Sequence, residues 1–508
     1  MAKFLYDVLI IGGGPAGSAA ARLLASWGHS VQLLTKPLKG RRFLGESLPP
    51  SCQKLFDLLG ISEALGQAGF LASAGNTIWW GDHRTRTAHF ADATKGWQVE
   101  RRDFDRLLLK LAAQAGSQLQ TEALVRRVEL PTTDTSPLQP EGTVHFLTKS
   151  GPQSSHARFI LDCSGRSGII ARRGFRNYEN SRTTVGLTAV WEQPNGWPLE
   201  SQTHTLVESY GDGWAWSVPV SKSRRYVTFM VDPQATKLDQ RHAIMSCYNT
   251  ELAKTTALRS LLNGALRVAE PWGCDASLYS AHKYGVPGVL LVGDAASFID
   301  PLSSYGVKKA LASAWLAAVV THTSLTDSSL STAALGIFNK REEQMHDALS
   351  RQSAQFFADA AKEHLHPFWT GRSAPDGVLP THGTPNMPDD AEYLKRDPTV
   401  LAAFETIKRS REIHLSPGPC LQIKRYPAIT TRRIVMEDRL SVPNWPPSEQ
   451  GLRFLRDVDL VRLVELAPKH RQVPDLYETY NRHSPPVSLP DFLGALSVLL
   501  AKGVLECR

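Results

Sequence analysis

The chain lacks several features that mark other classes of protein. None of its six cysteines forms a CxxC pair, which argues against a zinc motif or a disulfide framework. They are Cys52, Cys163, Cys247, Cys274, Cys420 and Cys507. No uninterrupted apolar run reaches about 18 residues, so we expect no membrane span. The opening "MAKFLYDVLIIGGG" runs into a strand with no basic and apolar leader, which predicts a reducing, cytoplasmic location with free thiols.

Charge of one sign is not concentrated anywhere. The formal net charge is +8, but the Lys and Arg residues are dispersed and form no long basic run. This pattern argues against a nucleic-acid partner and only weakly for an acidic one. With 508 residues, 42% of them hydrophobic, the chain exceeds what one core usually serves and predicts two or three domains.

The first 35 residues have a strand, glycine loop, helix and strand in order. Residues 6–11 and 31–34 are short apolar runs, and residues 15–27 form an Ala-rich helical pattern. Glycines between the first strand and the helix let the backbone turn tightly and approach a pyrophosphate at the helix N-terminus. The predicted contacts are Gly12, Gly14, Pro15, Ala16 and Gly17. The bland alternative is a turn that only packs the helix on the strand.

The carboxylate that usually ends the second strand of this motif is missing. Thr35 stands there instead, and its hydroxyl can still hydrogen-bond a ribose. We therefore expect the grip on the ribose to be weaker, or shared with Lys36 and Arg42.

The remaining pattern predicts a mixed α/β fold. Strand-like segments dominate residues 140–230, which predicts an antiparallel substrate sheet inserted into the nucleotide-binding domain. We predict three regions: a nucleotide-binding domain at 1–365 with insertions at about 60–100 and 140–285, a linker or surface excursion rich in Pro and Gly at 366–414, and a small separate domain at 415–508.

Four separated motifs occur in a fixed order. They are "GES" at residues 45–47, "VERRDFDRLL" with Arg101, Phe104 and Asp105, "LDCSGRSG" with Asp162 and Gly165, and "GDAASFIDPLSSYGV" at residues 293–307. Together they resemble the flavin-dependent monooxygenase and halogenase superfamily over residues 5–365. The resemblance implies a Rossmann-like FAD-binding domain, FAD as cofactor, and no metal.

The resemblance also assigns residues to the cofactor. In that family the Asp of "GD" contacts the ribityl chain, which is Asp294 here, and "GES" lies beside the flavin ring. The helix that begins near Val307 can direct its N-terminal amides at the reduced ring. The cofactor-binding residues added on these grounds are Gly45, Glu46, Ser47, Arg101, Gly293, Asp294, Pro301, Gly306 and Val307.

Halogenating relatives hold the oxidant with a lysine in a segment resembling "FxxKxG" ahead of "WG". The corresponding stretch here is "FLASAGNTIWWG", where Ser73 occupies the position of the lysine. No lysine occurs between Lys54 and Lys95, so a shifted alignment does not restore it. A glutamate of the tryptophan halogenases corresponds to Ser303, and Tyr305 adds bulk beside the expected halide site.

Hydroxylation is therefore favoured over halogenation. A flavin hydroperoxide transfers oxygen to an electron-rich ring and needs a dry site more than a strong base. "GWAWSVPV" resembles the family's "GWxWxIP" segment, and we expect Trp214 and Trp216 to wall the cavity, unless they are ordinary core. The other predicted walls are Pro301, Ser303 and Ser304, and the candidate proton carriers are Glu46, His204 and His282.

The C-terminal region resembles the winged-helix peptide-recognition domains of enzymes that modify ribosomal peptides. An exposed edge near residues 432–442 could pair with an extended peptide, so we expect a protein or peptide substrate docking through 415–508. A helical cap or a dimer face is the alternative. The combination resembles the flavoprotein monooxygenases that mature tryptophylquinone cofactors, which implies hydroxylation of a protein Trp.

Three rival functions stay open at this point. They are a halogenase with an unrecognised halide relay, a reductase of the geranylgeranyl type, and a non-catalytic flavoprotein that chaperones a client. The electrons would come from NAD(P)H or a separate flavin reductase, and the oxidant is O2.

Overall fold

The computed structural model describes residues 5–37, 40, 42–82, 84–91, 96–130, 141–178, 183–236, 238, 243–373, 397–443, 445 and 451–507, without the side chains of Ala243 and Ser303. The chain divides into two compact units. The first is Met1–Pro380 with Thr431–Arg433, and the second is Thr381–Thr430 with Ile434–Arg508.

The strands are numbered along the chain. They are β1 (Leu5–Ile11), β2 (Val31–Leu34), β3 (Gly45–Leu48), β4 (Leu71–Ser73), β5 (Gly75–Trp79), β6 (Thr85–His89), β7 (Gly96–Glu100), β8 (Gln118–Gln120), β9 (Leu124–Glu129), β10 (Gly142–Thr148), β11 (Gly151–Asp162), β12 (Arg176–Tyr178), β13 (Val185–Glu192), β14 (Thr205–Tyr210), β15 (Gly213–Pro219), β16 (Arg224–Val231), β17 (Leu266–Arg267), β18 (Trp272–Asp275), β19 (Tyr279–Ala281), β20 (Gly285–Val286), β21 (Val289–Leu291), β22 (Leu415–Pro417), β23 (Gln422–Ile429), β24 (Ile434–Ser441), β25 (Phe454–Leu455), β26 (Val458–Asp459) and β27 (Leu505–Cys507).

The α-helices are numbered in the same way. They are α1 (Pro15–Ser26), α2 (Gln53–Leu58), α3 (Ser62–Gln67), α4 (Arg101–Gln114), α5 (Ala243–Lys254), α6 (Ala257–Leu261), α7 (Gly306–Thr326), α8 (Ser331–Ala361), α9 (Pro367–Thr370), α10 (Pro398–Arg409), α11 (Leu460–Leu466), α12 (Val473–His483) and α13 (Leu489–Ala501).

The nucleotide-binding sheet of the first unit has the order β20–β21–β11–β1–β2–β8, with β10 and β9 beside β11. The strands β21, β11, β1, β2 and β8 run parallel to one another. Every residue of β2 and β21 is buried, as expected for parallel strands with both faces covered. Helix α1 packs against α7 and α4 beside this sheet. The predicted α/β fold is confirmed in this unit.

The antiparallel sheet has the order β17–β13–β16–β15–β14–β5–β6, with β18 beside β13. It therefore takes strands from residues 75–89 and 185–275. The prediction that the inserted sheet begins near residue 140 is wrong, because β10 pairs with β11 and β11 pairs in parallel with β1. Local strand patterns do not reveal which sheet a strand joins.

The glycine loop between β1 and α1 forms for steric reasons. Gly12 has φ of +111°, and a Cβ there would lie 2.3 Å from the Cys163 carbonyl oxygen. A Cβ at Gly17 would lie 1.8 Å from the Gly12 carbonyl oxygen. Pro15 occupies the first turn of α1, where a missing N–H costs little. Only glycines allow the strand, loop and helix to approach this closely.

The predicted linker at 366–414 is shorter than expected. Helix α9 buries Phe368 and Trp369 in the first unit, whereas α10 buries Val400 and Ile407 in the core of the second. These aromatic and aliphatic anchors fix both ends of the segment. The part between them, residues 374–396, lies outside the described residues.

The second unit has its own core. Leu440 of β24, Leu460 and Leu463 of α11 and Leu496 of α13 are fully buried together. Asp459 caps α11 by accepting a bond from the Arg462 N–H at 3.1 Å. The hairpin expected around residues 430–442 consists of β23 and β24. The winged-helix assignment itself stays a prediction.

Two features concern the environment of the chain. Each of the six cysteines is a free thiol. Among the described residues, no helix combines the length and the hydropathy that crossing a membrane requires.

Candidate functional site

The first unit contains a cavity of about 680 Å³, here called the main cavity. It extends from the glycine loop after β1 to Trp214 and Trp216 on β15. Sixteen of the sequence-predicted residues line it: Gly12, Gly14, Pro15, Ala16, Thr35, Lys36, Glu46, Ser47, Arg101, Trp214, Trp216, Asp294, Pro301, Ser304, Gly306 and Val307. Motifs that are far apart in the sequence thus converge on one space.

Four predicted cofactor contacts lie behind the wall of the main cavity. Gly17 packs against the glycine loop, and a Cβ at Gly45 would lie 3.0 Å from the Tyr226 ring. Gly293 packs near Ala16 and Ala310. These three glycines allow close packing. The fourth, Arg42, is directed elsewhere.

The guanidinium of Arg42 donates to the Glu270 carbonyl oxygen at 2.8 Å. It also lies over the Trp272 ring at 5.1 Å. Neither contact belongs to the main cavity, so the structure does not bring Arg42 to the predicted ribose site. Ser303 is a predicted wall whose side chain lies outside the described part.

Sequence reasoning missed several wall residues. They include Ala123, Leu124, Val125, Thr205, Val207, Met230, Phe298 and Leu302, and the loop Cys163–Ser167. The loop had a signal in "LDCSGRSG": Asp162 accepts backbone N–H bonds from Ser164 at 3.1 Å and Ile170 at 2.7 Å, which shapes it. The others are ordinary apolar or small residues, and only the tertiary structure brings them to the site.

Three carboxylates surround one arginine in the main cavity. The Arg101 Nε donates to Asp105 Oδ1 at 2.9 Å, and its NH1 lies 3.5 Å from Glu46 Oε1. Burial raises the pKa of Glu46, and the charges of Asp294 and Asp105 raise it further, while Arg101 opposes them. Glu46 is therefore suited to hold a proton near neutral pH.

A buried lysine supports the turn that carries Asp294. The Lys309 ammonium donates to the carbonyl oxygens of Ser297 and, at 3.3 Å, Gly293. It lies 3.4 Å from Asp294 Oδ1. Glu342 of α8 lies nearby, and burial raises its pKa to about 7 although Lys309 lowers it. A cation thus lies directly behind the wall of the main cavity.

The segment before α7 is held in an unusual conformation. Ser304, which lines the cavity, has φ of +52°, a region that costs a non-glycine residue about 1 kcal/mol or more. Asp300 Oδ1 accepts the Leu302 N–H at 3.0 Å and caps the preceding turn. Burial raises the pKa of Asp300 to about 6. This turn presents Gly306 and Val307, the first residues of α7, to the cavity.

Aromatic side chains close the other end. The rings of Trp214 and Trp216 stack at 5.1 Å, and Trp80 meets Trp214 edge-on at 6.2 Å. Of the three proposed proton carriers, only Glu46 lines the main cavity. His204 is buried against Thr77, with Nδ1 3.0 Å from the hydroxyl.

The other two residues named beside the site also lie off its wall. His282 stacks on Phe175 at 6.0 Å. Tyr305 carries the Lys308 ammonium over its ring at 4.6 Å. The structure therefore supports neither a proton-transfer position for His282 nor a bulky Tyr305 within the main cavity.

The position of the missing lysine is occupied by a neutral network. Ser73 of β4 is buried, and its hydroxyl accepts a bond from Gln98 Nε2 at 3.0 Å. The same amide donates to the Thr205 hydroxyl at 3.0 Å. Among the described residues, Lys36 is the only lysine on the cavity wall, and its ammonium is 3.2 Å from Ser167 Oγ near the glycine loop.

The main cavity fits FAD. Its volume lies within the range of about 300–1,000 Å³ usual for ligand sites. A Cβ at Gly14 would meet no heavy atom within 4 Å, so open space lies in front of the helix N-terminus, as a pyrophosphate requires. Lys36, Gly12 and Gly14 would hold the dinucleotide end, and the α7 turn with Asp294 would hold the ribityl chain and ring.

Comparison with known proteins agrees with this geometry. The model of the FAD binding domain family matches residues 5–324. A tryptophan 2-halogenase from Chondromyces crocatus is 31% identical over 321 residues, which are 61% of this chain and 60% of that protein. The chain spans between 60% and 65% of the length of the first three curated halogenases that it matches.

Two solved structures share the fold along nearly the whole chain. The flavin-dependent halogenase CmlS has a TM-score of 0.74 at 21% identity, covering 99% of this chain and 96% of that one. The peptidyl tryptophan dihydroxylase QhpG, essential for tryptophylquinone cofactor biogenesis, has a TM-score of 0.67 at 21% identity, covering 98% and 100%.

The fold and the site therefore define an FAD-binding flavoprotein. The chain belongs to the FAD binding domain family and, within it, to the superfamily of flavin-dependent monooxygenases and halogenases.

Proposed function

We propose that this protein is an FAD-dependent monooxygenase that hydroxylates an aromatic residue, Trp above all, in a protein or peptide. The observation that carries the proposal is the neutral network at Ser73. The ammonium that would hold a hypohalous acid is replaced by a hydroxyl bonded to Gln98. The cavity's lysine, Lys36, lies at the glycine loop and not beside Trp214.

The chemistry needs two electrons and O2. Bound FAD, once reduced by NAD(P)H or by a separate flavin reductase, supplies the electrons that activate O2. One oxygen atom enters a C–H bond of the aromatic ring, and the other leaves as water. The substrate is oxidised, and NAD(P)H is the reductant consumed in the cycle.

The residues of this chain have distinct parts in that reaction. Trp214, Trp216 and Met230 exclude water from the ring end of the cavity. The first amides of α7 favour negative charge near Gly306. Glu46, whose pKa burial raises, takes or returns the proton that moves with oxygen transfer.

A polypeptide substrate is supported by the second unit. Strand β23 pairs with β24, and its first four residues are exposed. Among the described residues, the other edge of β23 pairs with no strand, so its backbone groups can accept an extended peptide. The fold that this chain shares with QhpG, which acts on a peptidyl tryptophan, supports the same substrate class.

Halogenation is the second candidate, because the first curated relatives are halogenases. It requires a halide relay that does not use a lysine at position 73. A chaperone with a structural flavin is the remaining alternative. In that case Asp294→Asn, which weakens cofactor binding, would leave maturation of the client intact.

The test is product mass with and without halide. The FAD-loaded protein is incubated with a Trp-containing peptide, NADH, a flavin reductase and air, in chloride- and bromide-free buffer and in buffer that contains 100 mM bromide (about that order). We expect addition of one or two oxygen masses in both buffers. A brominated product that forms only with bromide would overturn the proposal.

A variant sharpens this test. Ser73→Lys restores the amine, and Ser73→Ala is its control because both remove the bond from Gln98. If the missing amine decides the outcome, Ser73→Lys diverts part of the oxidant to bromination, whereas Ser73→Ala does not. Loss of FAD from either variant is checked by flavin absorbance.

A further inference from the structure

A second cavity of about 470 Å³ adjoins the main cavity. Its apolar walls are Ile78, Trp80 and Phe356 together with Val207 and Leu302, and we call it the side cavity. Val207 and Leu302 also line the main cavity. The two spaces are therefore separated by little more than these two aliphatic side chains.

The position of the side cavity suits a substrate. The main cavity has the extent that the dinucleotide and the flavin ring need, from the glycine loop to Trp214. A group to be oxidised must lie beside the ring end, and the side cavity begins there, because Leu302 follows Pro301 in the turn before α7. Its volume is within the usual range for ligand sites.

The walls are fixed and aromatic. The Trp80 indole Nε1 donates to the Phe356 carbonyl oxygen at 2.9 Å, which sets the orientation of the ring. Trp80 also meets Trp214 and Trp369 edge-on, at 6.2 and 5.3 Å. Ile78 lies opposite Val207 in the β5–β14 register and forms the adjoining wall. Such a surface favours a planar aromatic ring.

The rim carries an excess of negative charge. Arg86 NH2 donates to both oxygens of Asp82 at 2.9 Å, and the Lys362 ammonium donates to Asp359 at 2.8 Å. These two pairs neutralise themselves. Glu363, the fifth charged residue at the cavity, makes no ion pair among the described residues. The rim therefore has one uncompensated carboxylate.

We propose that the side cavity holds the aromatic side chain of a peptide substrate that has a Lys or Arg residue beside it. The ring packs against Trp80 and Ile78 with its edge towards Leu302, and the neighbouring cation faces Glu363. This inference rests on the proposed peptide hydroxylation and names the sequence context that the enzyme prefers.

The test measures peptide binding to the FAD-loaded full chain. Fluorescein-labelled pentapeptides with a central Trp flanked by Lys, by Ala or by Glu are titrated by fluorescence anisotropy. The variants are Ile78→Trp, which fills the side cavity without touching the main cavity, and Glu363→Gln, which removes the charge. Glu343→Gln, an exposed carboxylate elsewhere on α8, is the matched control.

The expected order of affinity is Lys-flanked, then Ala-flanked, then Glu-flanked. Ile78→Trp raises Kd for every peptide by roughly tenfold or more, while flavin absorbance stays at one FAD per chain. Glu363→Gln raises Kd for the Lys-flanked peptide alone by about two- to fivefold, the scale of an exposed ion pair. Glu343→Gln changes none of them.

The outcomes separate this inference from the proposed function. If the Lys-flanked peptide binds Glu363→Gln and Ile78→Trp as tightly as the wild type, the side cavity is not its site. If binding follows the expected pattern but no oxygen is added under turnover conditions, the site stands and the proposed function fails. Oxygen addition that neither variant changes would sustain the function and overturn the inference.

Discussion

Replacement of Lys309 by Met should destabilise the FAD-binding unit far more than an ordinary surface change. The ammonium has 2% exposure and is bonded to the carbonyl oxygens of Gly293 and Ser297 and to Asp294. Met retains much of the volume, but these oxygens lose their donor and Asp294 loses its buried counter-charge.

The magnitude follows from the burial of the cluster. Removing one partner of a buried ion pair costs about 3–5 kcal/mol, because the other charge stays buried and uncompensated. At about 2 °C per kcal/mol for a large domain, we expect the midpoint for thermal release of FAD to fall by roughly 6–10 °C. The Kd for FAD should rise as well, because Lys309 supports the turn that presents Asp294 to the cavity.

The assay is a thermal ramp of the FAD-loaded protein followed by flavin fluorescence. Lys308→Met is the control, since the neighbouring ammonium lies over the Tyr305 ring and is only half-buried. The double variant Lys309→Met with Glu342→Gln should recover part of the loss, because it removes an uncompensated carboxylate. A drop in Lys309→Met no larger than in Lys308→Met would refute the reasoning.

Two further predictions concern the same unit. Gly17→Ala should abolish retention of FAD on gel filtration, because the added Cβ would lie 1.8 Å from a backbone oxygen of the glycine loop; Gly66→Ala, whose Cβ meets nothing within 4 Å, should retain it. Burial raises the pKa of Glu342 to about 7 and of Asp300 to about 6, so their contribution to stability is full below about pH 4 and is lost as pH rises through 6 and 7. The urea midpoint should therefore decline from pH 5 to pH 8, and Glu342→Gln should flatten the decline; an unchanged slope in that variant would contradict the assignment.

Much of the cofactor site could be predicted from the sequence because its parts are short and local. A tight turn, a close approach of helix to strand, and a helix N-terminus each require particular residues within a few positions. Gly12, Gly14, Asp294 and Gly306 were recognisable for this reason, and the structure brings all four to one cavity. The replacement of the family's lysine at Ser73 was equally visible.

Other features depended on residues that are far apart in the chain. The sequence of β11 is compatible with either sheet, and only its parallel pairing with β1 decided between them. Arg42 had a suitable charge and position in the chain, but it lies over Trp272 instead of the ribose site. Lys309 belongs to a residue type that is normally exposed, and its burial follows from the packing of α7 against α8.

The amino-acid sequence by itself determined that this protein binds a dinucleotide and lacks the amine that directs halogen. Both properties reside in side chains and glycines at fixed short spacings. Only the tertiary structure decided that Ile78, Leu302 and Glu363 share a second cavity beside the first. They come from three distant segments, and no local rule of backbone or charge connects them before the chain has folded.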